Sequence, residues 1–144
     1  MSSRVYAMNV KLQSTNPKID IDLTQGSKDD GERRQELRTI LSISLQDKRN
    51  IIEQRVPGSS GNVLQDLGPS PVIISLEGEI YGSEASSTVE DIYKIYDAGK
   101  PIEFHSDLAA IAEVNKAFIT KLQINKSQDS EMYYSYSMEL RESS

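Results

Sequence analysis

The chain has 144 residues, a length typical of one domain, so we expect a single domain over residues 1–144. It contains no Cys, which excludes a disulfide-stapled secreted scaffold and thiolate metal sites. The formal net charge is −6 and there is no long basic stripe, which argues against sequence-specific binding to nucleic acid. The N-terminus lacks an apolar signal core, and no apolar run approaches the roughly 18 residues that span a bilayer. We therefore expect the chain to start in the cytoplasm and to have no membrane contact.

Two short stretches of alternating apolar and polar residues open the chain. Residues 4–13 predict a half-buried first strand, and residues 19–23 alternate in the same way. Asn16-Pro17 between them is a turn signal, which predicts a hairpin or a bent strand pair. Asp20 and Asp22 fall on the outer side, so one face of this ribbon is expected to be strongly acidic.

Residues 24–38 are polar, balanced in charge and nearly free of large apolar side chains. Such a segment cannot bury enough surface to offset the entropy lost on ordering, so we predict a long loop or a loop with a short helical turn over 32–38. In an assembling protein, a loop of this kind would be an arm that orders against a neighbouring subunit.

Apolar alternation resumes in the middle of the chain. Leu41, Ile43 and Leu45 predict the next strand, and residues 51–56 predict a further short one. The polar residues 47–50 between them are typical of a turn.

Residues 57–61 break regular structure and lead to the strongest strand pattern of the chain, over residues 72–80. Gly78 interrupts this apolar alternation. A glycine inside a strand indicates a bulge or a close approach of another group to the backbone.

One amphipathic helix follows this strand. Ser87 and Glu90 have the spacing of a capping box, in which each side chain satisfies an amide of the first turn. Positions i, i+3, i+4 and i+7 then carry apolar or aromatic residues on one face: Val89, Ile92, Tyr93 and Tyr96. Gly99 can adopt the left-handed conformation that ends a helix, and Pro101 prevents its continuation.

The last third of the chain is predicted to be mostly strand. Residues 101–105 indicate a short strand and 106–112 a loop or half-turn. Residues 113–125 and 132–142 indicate two closing strands, joined by a turn at 126–130. About eight strands and one helix predict a mainly β fold, either a β-barrel or two packed antiparallel sheets with a flanking helix.

The sequence shows no arrangement typical of catalysis or cofactor binding. His105 is the one histidine, Asp107 is a nearby carboxylate, and no Gly-x-Ser-x-Gly elbow accompanies them. The Gly58–Gly61 segment lacks the Gly-Lys-Ser/Thr ending of a phosphate-binding loop. Asp20 and Asp22 could hold a hard cation, although solvated strand charge explains them as well. We expect no enzyme, no cofactor and no metal site.

From about Ile51 onward the chain resembles a family of proteins from the contractile tails of bacteriophages and related phage-like injection systems. Residues 55–68 match the pattern Arg-x-Pro-Gly-x-x-Gly-x-x-x-Gln-Asp-Leu-Gly. Residues 74–78 match Ile-Ser-Leu-x-Gly, and residues 134–142 match Tyr-x-Tyr-x-Met-x-Leu-x-Glu. The same region is similar to the N-terminal domain of phage proteins labelled DNA-circularisation proteins, which are regarded as baseplate-hub or tube-initiating components.

This resemblance implies a tail-tube-like fold and a structural role in a virion tail or phage-like particle, assembled in the host cytoplasm. Subunits of that type form rings, commonly sixfold, that stack on neighbouring rings around a central channel. The implied partners are further copies of the chain, neighbouring tube, hub or baseplate proteins, and DNA that passes through the lumen without specific binding. An acidic Asp20 and Asp22 ribbon would suit such a lumen.

The polar 24–38 segment would suit the loop by which one ring grips the next. We expect subunit contacts from polar residues of this segment and of the 55–68 motif. The candidate interface residues are Asp29, Glu32, Arg33, Arg34, Arg55, Gln65 and Asp66.

Two other classes of function remain open. The first is a monomeric or dimeric β-sandwich binding module, which would hold a peptide or glycan on its Tyr-rich closing strand or beside the helix. The seven Tyr suit such a protein-binding surface, or they are half-buried strand residues. The second class is a small enzyme that uses His105.

Overall fold

A computed structural model describes residues 9–24, 36–58, 61–128 and 132–143, and within them the chain forms nine strands and two helices. The strands are β1 (Lys11–Thr15), β2 (Lys18–Asp22), β3 (Glu36–Gln46), β4 (Arg49–Arg55), β5 (Asn62–Pro69), β6 (Ile73–Gly82), β7 (Ile102–His105), β8 (Lys116–Lys126) and β9 (Tyr133–Glu142). The helices are α1 (Ala85–Ala98), which lies between β6 and β7, and α2 (Asp107–Ile111), which lies between β7 and β8. The predicted mainly β fold is therefore confirmed.

Seven strands form one antiparallel sheet in the order β2-β1-β7-β8-β9-β6-β3, while β4 and β5 form a separate two-stranded sheet. The two antiparallel sheets and the flanking helix α1 agree with the second alternative of the fold prediction, which was two sheets with a helix at the side. No barrel closes within the described ranges, because β2 and β3 are the two ends of the larger sheet.

The hydrophobic core lies between one face of the larger sheet and α1. Alternate residues of the central strands point into it, as the period of two along a strand requires: Ile74, Leu76 and Ile80 on β6, and Tyr136, Met138 and Leu140 on β9. Helix α1 contacts β2, β6, β8 and β9. Its Ile92 is fully buried, and burial of such a side chain contributes roughly 1.5–3 kcal/mol to folding.

Helix α1 ends where the sequence predicts but begins earlier. Gly99 adopts the left-handed conformation with φ 66°, and its N–H donates to the carbonyl oxygen of Tyr96. The capping-box prediction is wrong, because the helix starts at Ala85 and Ser87 lies inside it. The turn after β6 leads into the helix at Glu84, which is the N-cap residue and whose side chain makes no capping hydrogen bond. The buried face also differs from the prediction.

Ile95 completes the buried face of α1 together with Val89 and Ile92. Tyr93 was expected on this face but is half exposed, and its ring lies 6.1 Å from that of Tyr96. The two tyrosines therefore border the core and do not fill it.

A bulge in β3 changes which apolar residues of that strand face the core. The register with β6 shifts between Ile40 and Ser42, so Leu41 becomes the extra residue and is 55% exposed. Ile40, Ile43 and Leu45 pack against the core instead. The predicted alternation of Leu41 with Ile43 is therefore wrong by one position.

The predicted turn at residues 47–50 is also wrong. The pairing of β3 with β6 runs to Gln46 and Ile73, and the pairing of β4 with β5 begins at Arg49 and Pro69, so the chain does not reverse between them. Instead, β4 and β5 extend the β3–β6 ribbon as a hairpin beyond the sheet. The strand β5 was missed because both of its faces are exposed, which leaves no clear alternation of apolar and polar residues.

The remaining predictions mostly hold where the structure describes the chain. The first strand is shorter than predicted and begins at Lys11, while residues 4–8 lie outside the described ranges. The strand β3 begins at Glu36, so the end of the predicted 24–38 loop is strand, and residues 25–35 are not described. The predicted loop at 106–112 contains α2, which Ser106 caps by accepting a hydrogen bond from the Ala109 amide. The predicted turn at 126–130 lies partly outside the described ranges.

Arg38 connects the two ends of the curved sheet. From β3 it donates through Nη1 to the carbonyl oxygen of Asp22, 2.7 Å away at the end of β2. Its Nη2 lies 3.2 Å from Oγ1 of Thr88, a buried residue of α1. One half-buried guanidinium thus bridges both terminal strands and the helix, which no backbone pairing connects.

Candidate assembly surfaces

The strands β3, β6, β9 and β8 form a four-stranded antiparallel section whose two outer strands each span 11 residues. β7 pairs with only Lys116 and Ala117 of β8, so in the described chain Phe118–Lys126 has β9 as its one strand partner. Within the described residues, β3 also has one strand partner, β6. Unpaired backbone groups along such strands readily pair with a strand of another chain.

Apolar side chains along both outer strands are incompletely buried. These residues face the core and pack against it: Ile40, Ile43 and Leu45 on β3, and Ile119, Leu122 and Ile124 on β8. Their cross-strand neighbours on β6 and β9 are buried, as Leu76 opposite Ile43 and Met138 opposite Leu122 show. A further strand added at either edge would remove more of this apolar surface from water.

The opposite face of the four-stranded section is polar and carries more acidic than basic residues. These are Glu77 and Glu79 on β6, Glu139 and Arg141 on β9, and Lys121 on β8, with Ser residues between them. A shallow recess of about 220 Å³ lies among these side chains. Glu79 accepts a hydrogen bond from the Tyr133 hydroxyl, which raises the pKa of that tyrosine.

The β4–β5 hairpin is the most exposed apolar feature of the described chain. Every residue of β4 is exposed, and so are all but one of β5. Its large apolar residues are between 40% and 68% exposed: Ile51, Ile52, Val56, Val63, Leu64 and Leu67. A two-stranded hairpin that covers no core is marginally stable in water, and its exposed apolar side chains form the kind of patch that commonly marks a contact between proteins.

The structure describes three of the seven candidate interface residues, and all three lie on this hairpin. Arg55 is at the end of β4, and Gln65 accepts a long hydrogen bond from Gln54 across the strands. Asp66 forms an ion pair with Arg49 at 2.6 Å and accepts from the Gly68 amide. The hydrogen bond from Arg49 lowers the pKa of the Asp66 carboxyl, so Asp66 is already engaged within its own subunit.

The other four candidates, Asp29, Glu32, Arg33 and Arg34, lie outside the described residues. Sequence reasoning did not single out the edges of β3 and β8, because edge position depends on strand order and not on local pattern. The exposed apolar residues of the hairpin could have been noticed in the sequence. Val63, Leu64 and Leu67 are large apolar residues in a stretch that no predicted core required.

The residues considered for chemistry make ordinary polar contacts in the part of the chain that the structure describes. His105 is exposed, and its Nε2 lies 3.1 Å from Oε1 of Gln13 and 3.8 Å from Glu103. Asp22 accepts from both the amide and the hydroxyl of Thr24, and no group of three potential metal ligands occurs in the described ranges. No helix in those ranges is long and apolar enough to cross a membrane.

Comparison with protein families places most of this structure in one domain family. Residues 36–143 match the family described as Domain of unknown function (DUF6046). The chain belongs to this family. The matched DUF6046 region begins at the start of β3, and it contains β3 and β8, the two outer strands of the four-stranded section, together with the polar face and the hairpin.

Solved structures similar to this DUF6046 member come from gene transfer agent (GTA) particles. One is described as the tail of an empty GTA particle with C6 symmetry, with a TM-score of 0.55 and 15% identity over 99% of this chain and 96% of that one. A second, from the virion of a native GTA particle, has a TM-score of 0.50 and 14% identity over 99% of this chain and 100% of that one. At such low identity, what the DUF6046 chain shares with these proteins is the fold. No curated protein matches the chain.

Proposed function

We propose that this chain is a structural subunit of a phage-like tail tube or baseplate hub, and that its copies form a ring around a central channel. The observation that carries the proposal is the four-stranded section, whose two outer strands each span 11 residues and leave long open edges, Glu36–Gln46 on β3 and Phe118–Lys126 on β8. In a ring, β8 of one copy would pair with β3 of the next and extend the sheet from copy to copy.

Strand direction supports this joining of edges. Because β3, β6, β9 and β8 alternate in direction, β8 runs opposite to β3. Copies that share one orientation around a ring axis therefore bring these edges together as an antiparallel pair, and the same contact repeats until the ring closes. The half-buried Ile40, Ile43 and Leu45 of one copy would then line the same joint as Ile119, Leu122 and Ile124 of its neighbour.

The polar face is the surface that we assign to the channel. Glu77, Glu79 and Glu139 outnumber Lys121 and Arg141 there, so this wall would carry a small excess of negative charge and would repel polyanions. DNA could then pass without binding specifically. A protein of this fold occurs in the tail of a GTA particle with C6 symmetry, which supports six copies in the proposed ring and a place in the tail of a virion-like particle. The proposed partners are further copies and neighbouring tube, hub or baseplate proteins.

Blocking one edge tests the proposal. In Ile124→Lys the new amine can reach water at the open edge of a single subunit, but it would lie inside the joint of a ring. We expect sedimentation velocity and negative-stain imaging to show rings for the parent protein and monomers for this variant. The control is Gln123→Lys, which adds the same charge to the opposite face of the same strand.

We expect Gln123→Lys to retain rings, since its side chain does not lie between the edges. Parent protein that stays monomeric at high concentration would contradict the proposed function. So would an Ile124→Lys variant that forms rings as readily as the parent protein.

A further inference from the structure

The two faces of the β4–β5 hairpin differ in charge. One face carries the charged residues Glu53, Arg55 and Asp66, because directly opposed residues on the two strands point to the same side. The other face carries no charged residue along the paired strands. It consists of apolar residues and two glutamines: Ile52, Gln54, Val63, Gln65 and Leu67. We call this second face the dry face of the hairpin.

A second uncharged apolar surface lies at the far end of the same ribbon. Leu37 on β3 pairs with Tyr81 on β6, which pairs with Tyr133 on β9. The three side chains therefore form a row on the face of the sheet opposite the core, at the end of the polar face. Leu37 and Tyr81 are 51% and 46% exposed. We call these three residues the end patch.

We infer that the dry face of the hairpin docks on the end patch of a second copy of this chain, in the adjacent ring. This inference rests on the proposed ring and names the surface by which rings would stack. The hairpin leaves the sheet at Gln46 and Ile73, whereas the end patch lies at Leu37 and Tyr81, the opposite ends of the same two strands. A projection at one end and an acceptor at the other make a head-to-tail contact, which repeats without limit along the strand direction.

Charge favours a second copy as the occupant. Each copy carries a net charge of −6, so most pairs of surfaces on two copies repel one another. The dry face and the end patch are both uncharged, and they can meet without like-charge repulsion.

The contact area of one hairpin is small, so stable stacking would need several hairpins acting together in a ring. Seven residues of β4 extend about 24 Å at roughly 3.4 Å per residue, and one face of a two-stranded ribbon is about 10 Å wide. The resulting footprint of roughly 240 Å² is well below the ~800 Å² that each partner buries in a stable complex. One hairpin therefore holds two free copies weakly, whereas all the hairpins of a ring act together through their high effective concentration.

Cysteine cross-linking tests the contact directly, because the chain has no Cys of its own. A full-length Val63→Cys/Tyr81→Cys variant is concentrated, treated with a short bismaleimide and separated by denaturing electrophoresis. The two positions lie on the order of 50 Å apart along one ribbon, so a link between them joins two chains. We expect a ladder of dimers, trimers and longer species. The matched control is Leu64→Cys/Tyr81→Cys, whose hairpin cysteine faces the charged side, and we expect at least several-fold less ladder.

A second measurement uses no cross-linker. Val63→Glu puts a charge on the dry face and should weaken each hairpin contact about tenfold or more, whereas Leu64→Glu adds the same charge to the opposite face. We expect negative-stain images to show single rings for Val63→Glu and stacked rings for Leu64→Glu. Rings that stack normally in Val63→Glu, or equal ladders from both cysteine pairs, would overturn the inference and leave the ring proposal standing. The absence of any ring would refute the proposed function itself.

Discussion

Gly78→Ala is expected to lower the free energy of unfolding by about 3 kcal/mol and the Tm by roughly 6–12 °C. A Cβ at this position would lie 2.7 Å from Cζ of Tyr136 and 2.8 Å from the carbonyl oxygen of Thr39, and it would also meet the Tyr136 hydroxyl. The tyrosine ring packs directly over the glycine of the neighbouring strand. Neither the ring, which is buried, nor the carbonyl of β3 can move without disturbing the core or the strand pairing.

Urea and thermal unfolding followed by circular dichroism measure this effect, and two variants serve as controls. Gly61→Ala adds the same methyl group where nothing lies within 4 Å, so its stability should match the parent protein. Tyr136→Phe removes a buried hydroxyl that has no hydrogen-bond partner in the described structure, so it should be neutral or slightly stabilising. A Gly78→Ala protein as stable as Gly61→Ala would show that the Tyr136 ring and the Thr39 carbonyl do not pack this closely against residue 78.

Arg38→Met is expected to cost about 2 kcal/mol of unfolding free energy, or roughly 4–8 °C in Tm. Methionine retains much of the length of the arginine stem but loses the guanidinium that donates to the Asp22 carbonyl oxygen and contacts Thr88. Since those bonds connect β3 to β2 and α1, the loss should also loosen β2. Amide hydrogen exchange in Lys18–Asp22 should accelerate more than exchange in β6.

The control for this variant is Arg141→Met, which removes an exposed guanidinium from the middle of the same sheet. Exposed substitutions away from caps and networks usually change stability by less than about 0.5 kcal/mol. Equal unfolding curves for Arg38→Met and Arg141→Met would contradict the bridging role of Arg38.

Sequence predicted those elements whose local pattern and tertiary environment agree. The strand β9 alternates Tyr136, Met138 and Leu140 into the core, and Gly99 ends α1, because each feature depends on neighbours close in the chain. Gly78 was identified as a bulge or a close approach, and the structure shows the close approach of Tyr136.

Features that depend on strand pairing between residues far apart in the chain could not be predicted from the sequence. The bulge at Leu41 arises from register with β6, and the start of α1 is set by the turn that follows β6. The polar residues between β3 and β4 favour a turn, yet the chain continues because β5 pairs alongside it. The two open edges follow from strand order, which places β3 last and leaves most of β8 beyond the reach of the short β7.

In the proposed ring, β8 of one copy pairs with β3 of the next, and amide hydrogen exchange in assembled and dissociated protein tests this pairing most directly. On assembly, we expect new protection along both Glu36–Gln46 and Phe118–Lys126. The edge of β2 provides an internal reference, because Lys18–Asp22 should remain unchanged. Protection that appears at β2 while β3 and β8 exchange as in the free subunit would contradict the account.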